Sequence, residues 1–230
     1  MNDTIFQAAA LILPLIFAIV FHEVAHGWVA RALGDPTAAE QKRLSLNPLR
    51  HVDPIGTIIL PGFLKLIGMP VFGWAKPVPV NFRRLNNPRY GMMAVAAAGP
   101  GTNLVLALFA AIAMGLLARS FDGAPEPSTL WLFIAANLQN FLLINIFLAL
   151  FNLLPVPPFD GSHIVEGLLP PRAAREYARL RPFGLPLLFL LLLVIPSLFP
   201  GLGIVENVVL PPVEWAHGFY MEIVRAVAFG

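Results

Sequence analysis

The chain has 230 residues, of which 57% are hydrophobic and only 12% charged, and its mean hydropathy is +0.74. That balance lies outside the range of soluble domains, and the length allows one domain of several helices without a large soluble appendage. A formal net charge of +2 argues against a nucleic-acid partner, and the lack of cysteine excludes disulfides, thiolate metal ligands and a cysteine nucleophile.

In chain order, the first element is an apolar run from Ile5 to Leu33. It is predicted as a transmembrane helix, since a span needs roughly 20 apolar residues, and it is stopped by Gly34-Asp35-Pro36. Met1-Asn2-Asp3-Thr4 lacks the basic start of a signal peptide, so the helix is expected to be retained. Inside it lies His22-Glu23-Val24-Ala25-His26. Charged groups inside a bilayer are costly and are read there as functional. At i and i+4 the two histidines share a helix face, where neutral imidazoles can hold one Zn2+. Glu23, beside the first, can act as general base on water.

Next come two apolar, β-rich stretches broken by Gly and Pro, Ile55–Pro61 and Val71–Val80. Each is too short to span as a helix, so they are predicted as a β-hairpin dipping into the membrane, or a re-entrant loop, lining the site. Val71–Ala75 would be the part able to pair with an extended peptide. Pro88 to Leu117 reads as a second span, broken near its start by Gly99-Pro100-Gly101. Thr129 to Leu154 reads as a third, with Asn137, Asn140, Asn145 and Asn152 along it. Phe183 to Phe199 is a Leu-rich candidate, and Glu206 to Phe229 is either a short span or an interfacial helix.

The predicted fold class is an all-α polytopic membrane protein. A three-helix catalytic core over about residues 5–161 is joined by one or two C-terminal helices over about 183–229 and by the short hairpin, in a single domain 1–230. Most Lys and Arg fall between Arg31 and Arg89 or between Arg172 and Arg181. The positive-inside rule then puts both loops in the cytoplasm, in a cell (inner) membrane. The histidine pair lies on the order of 10–16 Å from the cytoplasmic end of its helix.

A catalytic zinc needs a third protein ligand and an open position. The ligand spacing of a metzincin would require a histidine at position 32, which is Ala32. Glu40 follows the break at Gly34-Asp35-Pro36 and has no helix phase in its favour. Asp160 is better placed: it follows the third span on the cytoplasmic side, and Pro155-Val156-Pro157-Pro158 can fold it back. His163 reads as a surface or supporting residue, and His51 and His217 as structural or interfacial.

Asn152-Leu153-Leu154-Pro155-Val156-Pro157-Pro158-Phe159-Asp160-Gly161, together with the histidine motif, resembles the pattern of the site-2 protease family of intramembrane zinc metalloproteases. Gly99-Pro100-Gly101-Thr102-Asn103 is similar to that family's short Gly-to-Asn motif. The resemblance covers roughly residues 5–161 and implies one zinc per chain, held by His22, His26 and Asp160, with Glu23 as base. It implies further that Asn152 contacts substrate backbone or the developing oxyanion, and it marks Asn103 as a second substrate-binding candidate. No segment resembles the PDZ or CBS appendages frequent in the family. The expected activity is hydrolysis of peptide bonds in or near transmembrane segments of other proteins, with the lipid bilayer as surroundings. The alternative is a non-catalytic membrane protein, either a metal transporter or a substrate-binding relative without turnover.

Overall fold

The computed structural model describes residues 3–68, 73–121, 127–199 and 201–230. Helix α1, Asp3–Ala32, carries the histidine motif. An unbroken apolar run favours a helix in lipid, because only intrasegment hydrogen bonds satisfy its backbone. It ends at Gly34, whose φ of +102° suits glycine, and where an added Cβ would lie 2.5 Å from Asn86 Oδ1. Asp35 follows, fully buried. Its carboxylate accepts from Thr37 Oγ1 at 2.5 Å, Thr37 N–H at 3.1 Å and Asn81 N–H at 2.5 Å. Burial alone would raise the Asp35 pKa. The bonds from Thr37 and Asn81, with Arg84 nearby, outweigh it and hold the carboxyl below its usual range.

Residues Ile55–Pro61 are not a strand. A π-helical turn, Pro54–Ile59, runs directly into helix α2, Leu60–Leu66. Asp53 starts it as an N-cap, its Oδ1 accepting from Ile55 N–H at 3.0 Å and Gly56 N–H at 2.7 Å, with Pro54 at the first helical position. Of the other predicted strand, Val71 and Phe72 lie outside the described residues. Gly73–Val80 is extended, but no strand ladder forms among the described residues.

Helix α3, Pro88–Arg119, is capped by Asn87, and α4, Thr129–Asn152, by Ser128. Short helices α5, Asp160–Leu168, and α6, Pro171–Ala178, follow. Helix α7, Gly184–Phe189, continues through a π-helical stretch, Leu190–Val194, into Ile195–Leu198. Helix α8 is Leu210–Phe229. Among the described residues, four stretches are long and apolar enough to cross a bilayer: Ile5–Ala32, Pro88–Arg119, Thr129–Asn152 and Pro171–Leu198.

Helices α1, α3 and α4 pack together through small buried side chains, among them Ala18, Ala30, Ala107, Ala111 and Ala149. Small residues let membrane helices approach closely where no hydrophobic force drives them together. Helix α8 lies lengthwise on α3. Tyr220 Oη donates to Leu104 O at 2.9 Å, and an added Cβ at Gly115 would lie 2.6 Å from Val227 Cβ. The two helices therefore run in the same direction, and the 20 residues of α8 reach about 30 Å along the bundle.

Candidate metal centre

Three elements meet at the histidine motif. On α1, His22 and His26 project from one face with ring centroids 4.7 Å apart. Asp160 is the first residue of α5, brought back to α1 by the turn that follows α4. Gly161 permits that return, because a Cβ there would lie 2.2 Å from Leu153 O and 2.4 Å from Leu154 O. Asp160 Oδ2 lies 3.1 Å from His22 Nε2 and 3.3 Å from His26 Nε2, and ligand atoms of the three residues all fall within 4.8 Å of one another.

The outer ring nitrogens settle which way the lone pairs point. His26 Nδ1 donates to Val95 O at 2.7 Å, and a carbonyl can only accept. His22 Nδ1 donates to Asn103 Oδ1 at 2.5 Å. In the neutral rings, both Nε2 lone pairs therefore face Asp160 Oδ2, which is buried without a hydrogen-bond partner among the described residues. Acceptors turned on one another in a buried site repel unless a cation lies between them. Two imidazoles and one carboxylate with an open side form the donor set of a catalytic zinc site. Gly99 shapes the space: a Cβ there would lie 2.5 Å from His26 Nε2 and 2.6 Å from His22 Nε2.

Asn103, the second substrate-binding candidate, lies on α3. It is fully buried and lies against the His22 ring. Its Oδ1 faces His22, and its Nδ2 donates to Ala18 O at 3.3 Å and to Asn145 Oδ1 at 2.6 Å. Asn145 in turn donates to Phe141 O at 2.7 Å. Sequence reasoning noted Asn145 on its span without giving it a role; an asparagine deep in an apolar helix was the available signal. Asn152 ends α4, half-buried, with Nδ2 donating to Leu148 O at 2.9 Å.

Glu23 is half-buried, and its Oε2 accepts the Val78 N–H at 2.8 Å. The extended segment reaches α1 because Gly27 leaves room for it; a Cβ on Gly27 would lie 2.9 Å from Val78 Cγ1. The same face of the segment is anchored twice more: Trp74 N–H donates to Gly56 O at 3.2 Å and Lys76 N–H to His51 O at 2.8 Å. His51 is itself buried, its Nε2 bonded to Ser45 O at 2.8 Å, which is a structural place.

Residues 126–195 match the pattern of peptidase family M50. The chain is 39% identical over 194 residues to a Bacillus subtilis protein named "Putative zinc metalloprotease YwhC", covering 81% of this chain and 80% of that one. The chain belongs to peptidase family M50, the site-2 proteases. Its M50 relatives include proteins named "Putative zinc metalloprotease Rip2". That of Mycobacterium tuberculosis H37Rv is 32% identical over 179 residues, 77% of this chain and 64% of that one. That of Mycolicibacterium smegmatis is 29% identical over 184 residues, 80% of this chain and 66% of that one. The chain thus spans about two thirds of the mycobacterial relatives' length. No solved structure matches it. M50 membership and the apolar helices make it an integral membrane protein of the zinc-metalloprotease class.

Proposed function

We propose that this M50 protein is a zinc endopeptidase that cleaves peptide bonds in or near transmembrane segments of other membrane proteins, with one zinc per chain held by His22, His26 and Asp160. The observation that carries the reading is the convergence of His22 Nε2, His26 Nε2 and Asp160 Oδ2, with their lone pairs turned inward, one residue from the Glu23 carboxylate. When bound, zinc polarises the scissile carbonyl and makes water acidic enough to give up a proton near neutral pH.

The chain's own groups supply the rest. The Val78 N–H holds Glu23 Oε2, which leaves Oε1 to take the proton from the attacking water and return it to the leaving amide nitrogen. Asn103 fixes the His22 ring through Nδ1, a positioning role in place of a substrate contact. Asn152 has a second amide hydrogen beyond the one given to Leu148, and this is available to the substrate carbonyl.

A transmembrane substrate must be unwound before its peptide bonds are reachable, and Gly73–Val80 offers an edge for the extended form. Residues 74, 76 and 78 turn their N–H groups inward. The outward edge therefore carries the N–H and C=O of Ala75 and the carbonyls of Pro77 and Pro79. The basic loops argue for a cytoplasmic-side site in a cell (inner) membrane.

The test compares wild type with Glu23→Gln in detergent, measuring zinc and cleavage of single-span peptides. The variant should keep its zinc and lose proteolysis, because the amide cannot take the proton. Persistent cleavage would remove Glu23 as base. Asp160→Ala with full zinc and full activity would remove the third ligand.

A further inference from the structure

One turn beyond Asp160 on α5, His163 opens onto a separate cavity of about 220 Å³ that the chemistry above leaves unused. Arg89, His163, Glu166 and Arg181 supply its polar wall, with Phe82 and Met92 on the apolar side. Arg89 Nε donates to Gly167 O at 3.0 Å and Nη2 to Leu169 O, closing the C-terminal end of α5 and leaving Nη1 free among the described residues. Arg181 gives Nη2 to Glu166 Oε2 and keeps its other donors. His163 Nδ1 is buried with no hydrogen-bond partner among the described residues. Burial, and then the Arg181 charge, push the His163 pKa below its usual range, so the ring is neutral and can donate from Nδ1.

Two guanidiniums against one carboxylate leave a single unmatched positive charge beside unfilled donors. That charge balance suits one carboxylate. The volume falls below the roughly 300 Å³ at which small-molecule sites begin, so a single side chain fits better than a whole ligand. We propose that this cavity binds the acidic side chain of an Asp or Glu in the substrate, next to the cleaved bond. The proposal rests on the endopeptidase reading. His163 lies about 4.5 Å along the helix axis from Asp160, and an extended peptide advances about 3.3 Å per residue. The acidic residue therefore belongs one to three positions from the cleaved bond.

The experiment places a single Asp at each of three positions on either side of the cleaved bond of a single-span peptide, each paired with its Asn counterpart. Wild type is assayed for cleavage and Glu23→Gln for binding, both zinc-loaded in detergent micelles. At one position Asp should lower KM and Kd about tenfold against Asn, the scale of a charge-assisted hydrogen bond. Arg181→Glu, with zinc content matching wild type as the check on folding, should abolish the preference or reverse it towards Lys. Glu166→Gln should strengthen it.

Equal KM and Kd for Asp and Asn at every position would overturn the acidic subsite while cleavage of both peptides left the endopeptidase reading standing. A binding preference without cleavage of any peptide would do the reverse. If Asp and Asn behave alike but Arg181→Glu loses anionic phospholipid from the micelle, the cavity is a headgroup site and the proposal fails.

Discussion

Asn103 joins three helices at one metal-ligand candidate. From α3 it accepts the His22 Nδ1–H of α1 at 2.5 Å, while its Nδ2 reaches Asn145 of α4 at 2.6 Å. The direction in which His22 Nε2 points is thus set by a residue that makes no contact with the metal position. Partners of this kind fix ligand tautomer and orientation.

Asn103→Leu should lower zinc affinity by about ten- to a hundredfold, the usual cost of losing such a partner. Competition against a chelator of known affinity measures it. Asn145→Ala should cost less, because the bond to His22 survives. Unchanged affinity in Asn103→Leu would show that the His22 ring is held by packing alone.

Gly99→Ala is the smallest change that should empty the site. The new methyl would lie 2.5 Å from His26 Nε2, and neither α1 nor α3 can yield without losing core contacts. Zinc should fall well below one per chain with helix content unchanged by circular dichroism. Gly101→Ala, two residues on with nothing within 4 Å, is the control and should be neutral or slightly stabilising. A fully loaded Gly99→Ala variant would mean that the helices part readily here.

Ala75→Pro should block substrate while sparing metal. With the N–H groups of residues 74, 76 and 78 turned inward, Ala75 offers its own N–H on the outward edge of the segment, and a proline there removes it. Cleavage of a transmembrane peptide should drop at least tenfold, with zinc content normal. Trp74→Pro is different in kind, since it removes the inward bond to Gly56 and should destabilise the segment. Wild-type cleavage by a folded Ala75→Pro variant would rule out strand addition at this edge.

Asp35 gives a pH dependence. Its folded pKa lies below the unfolded value, so the stability it contributes is complete above the ordinary carboxylate value of about 3.9 and is lost as pH falls below it. Asp35→Ala leaves the Thr37 and Asn81 donors without their carboxylate and should cost about 2 kcal/mol at pH 7. Thermal unfolding in detergent at pH 7 and at pH 3 reads both effects. The variant should lose less stability than wild type on acidification; equal losses would mean that other carboxylates dominate.

Much of the site was legible because its signals are local. The i, i+4 histidines and the run from Pro155 to Gly161 each declare a geometry within one segment, and the two meet in space. The stretch after His51 was misread for the opposite reason. Ile55, Ile58 and Ile59 suggested a strand, yet Asp53-Pro54 was a helix start: a capping carboxylate followed by proline at the first helical position. The remaining features depend on contacts between residues far apart in the chain. Asn103 to His22 is 81 positions, Val78 to Glu23 is 55 and Asn81 to Asp35 is 46. No spacing rule reaches that far. Gly99 stood out as part of a motif, but its reason, a methyl's width between α3 and two imidazoles, exists only once the helices are packed.

The triplet Pro77-Val78-Pro79 has one further property. Proline carries no amide hydrogen, so Val78 owns the single exchangeable backbone proton in the three residues, and that proton lies on Glu23. Deuterium uptake in this triplet reports one bond without interference from neighbours. The Glu23 carboxylate thus has a built-in label: any ligand that draws it away from Val78 is read as faster exchange at one amide, in unmodified protein and without a chromophore.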